Sequence, residues 1–191
     1  DNYTRESKRG GAWCTSFRRA RERNGERVTP LSSVVCNFTK PVGDKPALLT
    51  MDEVETFFHE FGHALHGLFS EVKYKGTASV PRDFVELPSQ IKENWATEPV
   101  VMKSYAKHYL TGEPIPDELI EKMEKSNLFN QGFVVTEYMA AAILDMDYHT
   151  LEKPLTKKPG DFELASAKRM GLIPEITFRY RSTYFNHIFS G

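Results

Sequence analysis

The sequence predicts a mainly α fold with a small N-terminal antiparallel β-sheet. Three observations carry that prediction. Strand-forming Val, Phe, Trp, Ser and Thr cluster in the first fifty residues, on either side of an Asn24-Gly25 turn dipeptide. From Thr50 onward the apolar residues recur at helical spacing, and Thr50 with Glu53 has the form of a capping box that opens a helix. The chain has 191 residues, 40% of them hydrophobic, which is enough to bury one sizeable core and suggests one domain, at most two.

Residues 11–18 and 31–38 read as two antiparallel strands joined by a long hairpin, in a sheet of two or three strands. Pro41 to Pro46 is a loop. The first helix then runs from Met51 to about Ser70, with Met51, Val54, Phe57, Phe58, Phe61, Ala64, Leu65, Leu68 and Phe69 as its core stripe. Further helices are expected over 82–95, 97–110, 116–126, 130–151 and 161–170, separated by loops containing Pro or Gly. Pro88 is the weak point of the second, because a proline inside a helix removes a backbone bond, so that helix starts late or kinks there. On the fifth, Val134, Met139, Ala142 and Ile143 are taken as core; Lys122 to Lys125 is taken as a solvated face.

Composition excludes several functions. With 25 Lys+Arg against 26 Asp+Glu the formal net charge is −1, so no overall field favours nucleic acid or an anionic membrane, and neither is expected as a partner. The longest uninterrupted apolar stretch, Met139 to Leu144, falls far short of the roughly 18 residues of a membrane span, which predicts a soluble chain. Cys14 and Cys36 are not spaced as a CxxC pair and read as two free, half-buried thiols. The chain opens at Asp1 without a charged-then-apolar leader pattern and stops in the aromatic run 184–191; the expectation is a piece of a longer, cytoplasmic protein.

The chemistry lies on the first helix. His59-Glu60-Phe61-Gly62-His63 places two imidazoles at i and i+4, one turn apart on the same side, where both can reach one metal ion. They share a polar stripe with Asp52, Thr56 and His66, opposite the Phe and Leu stripe. In a zinc hydrolase two such His donate neutral nitrogens, and the Glu between them takes a proton from water whose pKa zinc lowers to about 7. A chance HExxH is expected in roughly 2% of chains of this composition.

A catalytic zinc site needs three protein ligands and one open position. The longer HExxHxxGxxH pattern fails, since His66 stands where it needs Gly and Phe69 where it needs His. A carboxylate on a following helix is the alternative: Glu71 is too near the end of the first helix, Glu86 is better placed, and Glu93, two turns on along the same face, is the fallback. His66 is read as a packing or outer residue rather than a ligand.

His59-Glu60-Phe61-Gly62-His63-Ala64-Leu65-His66, with Arg82-Asp83-Phe84-Val85-Glu86-Leu87-Pro88-Ser89-Gln90 and Val35-Cys36-Asn37-Phe38-Thr39-Lys40-Pro41, resembles the thimet oligopeptidase family of zinc peptidases. The likeness is nearest to its bacterial peptidyl-dipeptidase (dipeptidyl carboxypeptidase) branch. It implies a helical zincin-type metallopeptidase core, one Zn²⁺ per chain held by His59, His63 and Glu86, and Glu60 as general base. It also implies that His187 contacts substrate, and that the oxyanion tyrosines follow the His187 loop, beyond Gly191. On this reading the chain is a partial catalytic domain, with 1–49 a β-rich substrate-edge region and 50–191 the helical zinc-binding region.

The expected partners are short peptides, hydrolysed with release of C-terminal dipeptides, and the remainder of the parent chain. The alternative is a zinc-binding fragment with little or no turnover, because removing one oxyanion donor costs about 10²–10³ in rate. Gly11 and Ala12, on a strand edge, are candidate partners for a peptide added as a strand.

Overall fold

The structure is a computed structural model that describes residues 1–184. His187 lies outside the described residues. The chain divides into two compact units, Asp1–Ile120 and Glu121–Gly191. Among the described residues no helix is long and apolar enough to cross a membrane. The fold is mainly α, as expected, with a small antiparallel sheet.

In the first unit, strands β1 (Trp13–Arg18) and β4 (Leu31–Val35) pair antiparallel with Trp13 opposite Val35 and Cys14 opposite Val34; the register slips between Ser16 and Arg18, and Phe17 is left exposed. Between them β2 (Arg21–Arg23) and β3 (Glu26–Val28) form a second two-stranded ribbon. Asn24 and Gly25 turn it at φ 55° and 82°, the left-handed conformations that this dipeptide adopts most cheaply. The expected strand over 31–38 ends as paired β4 at Val35, but the chain stays extended and changes partner. The amide of Cys36 donates to the Asp1 carbonyl (2.9 Å) and that of Phe38 to the Asn2 carbonyl (2.8 Å). Cys36 is fully buried rather than half-buried, while Cys14 is intermediate; burial, then the nearby Glu60 charge, holds both thiols above their ordinary pKa.

Helix α1 (Met51–Leu68) starts where the capping box predicts. Thr50 Oγ1 accepts from the Glu53 amide (3.2 Å) and Glu53 Oε2 from the Thr50 amide (2.9 Å). Glu53 Oε1 also accepts from the amide and hydroxyl of Thr39, at 2.8 and 3.0 Å, so one carboxylate fixes the helix start to the end of the ribbon. These bonds, the Thr50 amide first, hold the Glu53 carboxyl below its usual range. The core stripe of α1 is narrower than expected. Glu60, Gly62 and Ala64 are its buried residues, whereas Phe57 and Phe61 stack on each other at 5.8 Å and remain 39% exposed. The helix packs against β1 and β4 and along α2.

Helix α2 (Leu87–Thr97) begins five residues later than the apolar spacing suggests, with Pro88 in its first turn and Glu86 at the N-cap. A proline is tolerated there because that N–H has no intrahelical partner. Residues before it form a turn, preceded by a single 3₁₀ turn at Lys75–Ala78. Helix α3 (Pro99–Tyr105) follows, and the Tyr105 hydroxyl donates to the Ala96 carbonyl. Helix α4 (Asp117–Asn127) crosses the boundary between the units, with Lys122 and Lys125 exposed as expected.

The second unit holds α5 (Gln131–His149) and α6 (Pro159–Met170) around Ala140, Leu144 and Phe178, with Tyr148, Phe162 and Leu172 packed on them. The expected core residues Val134, Met139, Ala142 and Ile143 are exposed; Ala140, Ala141 and Leu144 are the buried ones. Apolar residues occupy nearly every side of α5, so periodicity could not select the buried face. Buried Glu163 accepts from the Ser182 amide (2.6 Å) and Arg181 Nε (3.1 Å), tying the segment after α6 back onto that helix.

Candidate metal centre

Three side chains from two elements converge in the first unit. His59 and His63, one turn apart on α1, bring their Nε2 atoms to 3.1 Å from each other. Glu86, at the N-cap of α2, sets Oε2 at 3.2 Å from His59 Nε2 and 3.1 Å from His63 Nε2. An ion bonded at about 2.0–2.1 Å to tetrahedrally arranged ligands holds their donor atoms about 3.3 Å apart. The triangle therefore has the size and the mixed N₂O chemistry of a zinc face. Among the described residues it is the one group of His, Cys, Asp and Glu placed to hold an ion.

Local packing explains why Glu86 reaches the helix. Gly62 stands where α2 crosses α1: a Cβ there would come within 2.7 Å of Ser89 Cα and 3.1 Å of the Pro88 carbonyl. Only glycine lets the start of α2 approach so closely. Ser89, fully buried, places its hydroxyl 2.9 Å from both the carbonyl and Oε2 of Glu86, which fixes the carboxylate against its own backbone. Neither residue is singled out by the sequence reading. A glycine inside a strongly helical run is the signal that could have found the first.

Glu93 lies outside the donor triangle. Its Oε1 sits 2.5 Å from Nδ1 of His59, on the far side of the ring from Nε2. A carboxylate there makes Nδ1 the protonated nitrogen and leaves Nε2 free to bind a cation. Burial, against the pull of Glu86, holds the His63 imidazole below its ordinary pKa, favouring the neutral form a metal ligand needs. His66 meets Phe84 edge-on at 6.3 Å and lines an apolar hollow with Leu65 and Phe69, a packing position.

Glu60 is 7% exposed, near enough to Cys14 and Cys36 for its charge to act on both thiols. Burial raises its carboxyl pKa, with His59 opposing and Glu86 adding to the rise. It lines a cavity of about 400 Å³ together with Ala12, Asp52, Glu55, His59 and Glu93. Of the two strand-edge candidates, Ala12 faces this cavity. Gly11 does not line it; its carbonyl accepts from Asn37 Nδ2 at 2.6 Å. The structure thus gathers His59, His63, Glu86, Glu60 and Ala12, and leaves Gly11 out of the cavity lining.

Comparisons with known proteins show the family to which the chain belongs. The sequence pattern described as Peptidase family M3 matches residues 1–191. The chain is 49% identical to the dipeptidyl carboxypeptidase of Escherichia coli K12, with all of this chain matched to 28% of that protein. It is 37% identical to oligopeptidase A of the same organism, again over the whole chain and 29% of the relative. Yeast saccharolysin is 40% identical over 65% of this chain and 18% of its own length. The chain thus spans less than a third of the curated relatives it matches. With a pattern match along its whole length, the chain belongs to peptidase family M3.

Proposed function

We propose that this chain carries the zinc centre of a peptidase that hydrolyses short peptides and releases their C-terminal dipeptides. The carrying observation is the donor triangle of His59, His63 and Glu86, with edges of 3.1–3.2 Å, beside a cavity that Glu60 lines. The dipeptide mode rests on the higher identity to dipeptidyl carboxypeptidase, 49% against 37% for oligopeptidase A.

His59 and His63 hold the ion through Nε2 and Glu86 through Oε2. When bound, zinc supplies a Lewis acid that lowers the pKa of water to about 7 and polarises a carbonyl. Glu60 takes the proton of the attacking water on its carboxylate and passes it to the nitrogen of the departing amine, leaving a new carboxylate and an amine. Glu93 holds His59 in the tautomer that presents Nε2. Ala12, at the edge of β1, offers backbone groups to an extended substrate, and His187 contacts the substrate from the segment that follows. Residues 1–49 serve as substrate edge and 50–191 as the zinc-binding part of one partial catalytic domain, completed by the remainder of a longer chain.

The test is elemental analysis of purified wild type, Glu86→Ala and Glu93→Ala, with a fluorogenic short-peptide assay on the same samples. One zinc per chain, lost with Glu86→Ala and retained at saturating zinc with Glu93→Ala, is the expected result. Zinc without turnover favours a fragment that lacks its oxyanion donors. No zinc in wild type would sink the assignment.

A further inference from the structure

The segment that carries Ala12 is held by one side chain from the opposite strand. Asn37 lies just beyond β4, and its Nδ2 donates to the carbonyls of Arg9 (2.9 Å) and Gly11 (2.6 Å). One amide nitrogen has two hydrogens, so a single Asn satisfies both acceptors at once; an Asp would set a charged oxygen against two carbonyl oxygens. Gly11 turns there at φ 86°, in the left-handed region that favours glycine, and the paired ladder begins two residues later at Trp13. The stretch before it is anchored as well, since Lys8 Nζ donates to the Cys36 carbonyl, next to Asn37, and to the carbonyls of Asp1 and Tyr3. Asn37 thereby holds both carbonyls at the bend, and the next residue, Ala12, lines the cavity with His59 and Glu60.

We infer that Asn37 is a positioning residue for the peptide substrate: by holding the Arg9 and Gly11 carbonyls it fixes the backbone of Ala12 at the mouth of the cavity, where an extended peptide pairs with it. This rests on the peptidase reading above. Asn37 touches neither the ion nor the scissile bond. Its effect is expected on peptide binding and not on metal binding, which separates it from a residue that merely supports the fold.

The experiment compares wild type, Asn37→Asp and Gly11→Ala, each loaded with zinc. Zinc stoichiometry, thermal midpoint and dissociation constant are measured for a tetrapeptide whose scissile amide is replaced by a ketomethylene group. The same constants are measured for a matched peptide in which one neighbouring backbone amide is an ester. Asn37→Asp is expected to keep one zinc per chain and to weaken the amide peptide roughly three- to tenfold, the worth of a lost hydrogen bond. The ester peptide is expected to bind wild type less tightly and to lose little more in the variant. Gly11→Ala strains the same bend without touching β4, because the added Cβ meets nothing within 4 Å; it is expected to act in the same direction and covers the case in which Asn37→Asp unfolds. Unchanged affinity for the amide peptide in both variants would overturn the inference and leave the peptidase reading standing. A wild type that takes up zinc but binds neither peptide would overturn both.

Discussion

His59 is the residue on which the candidate centre turns, because each of its ring nitrogens meets a carboxylate: Glu86 at 3.2 Å from Nε2 and Glu93 at 2.5 Å from Nδ1. A carboxylate behind a ligating imidazole fixes its tautomer, and losing such a partner costs typically 10- to 100-fold in metal affinity. Glu93→Ala is therefore expected to weaken zinc binding by about that factor, with Glu93→Gln falling between it and wild type, as measured by competition with a chelator of known affinity. Spacing alone left Glu86 and Glu93 both open as the third ligand, since seven residues return to the same helical face. In the structure Pro88 sits in the first turn of α2 and leaves Glu86 on its cap, beside Nε2 of both imidazoles, while Glu93 meets Nδ1 of His59. Gly62 matters as much. Gly62→Ala pushes a Cβ to 2.7 Å from Ser89 Cα, and overpacking of this kind costs about 1–3 kcal/mol, so the thermal midpoint and zinc occupancy are expected to fall together.

Among the elements, α1 shows where pattern reading holds and where it stops. Its start was legible because a capping box is local: Thr50 and Glu53 satisfy each other within one turn. Thr50→Ala is expected to cost about 1 kcal/mol, read from the denaturation midpoint at unchanged slope. Its buried side was less legible. The apolar stripe forecast Phe57 and Phe61 as core, yet Glu60, Gly62 and Ala64 are the buried residues, Gly62 against the start of α2. A second element-scale expectation concerns α6. Burial pushes the Glu163 carboxyl upward, but the bonds from Ser182 and then Arg181 outweigh it, so its folded pKa lies below the ordinary value. The stability this carboxylate contributes is full above the unfolded value, about 4.3, and is lost as pH falls through the lower folded value. Glu163→Gln is expected to flatten the acid limb of a stability-against-pH curve below about pH 4.3 while lowering stability at neutral pH.

For the molecule as a whole, an ion held by α1 and by the start of α2 would tie together parts of the chain separated by a long loop. A ligand that binds only the folded state stabilises it by about 4.1 kcal/mol at a thousandfold excess over its dissociation constant. Stripping zinc with a chelator is expected to lower the thermal midpoint of wild type, and to do so far less for Glu86→Ala, which a calorimetric scan checks. By itself the sequence determined what is short-range or chemical: the helical class, the Asn24-Gly25 turn, the cap of α1 and the His59-Glu60-His63 constellation, because spacing, propensity and donor chemistry act within a few residues. It took the folded chain to show which side of α1 is covered, that Asn37 grips the bend before Ala12, and which residues of α5 are buried. Those outcomes depend on how closely two elements approach, a distance set by side chains such as Gly62 and Ser89 that meet only once the chain has folded.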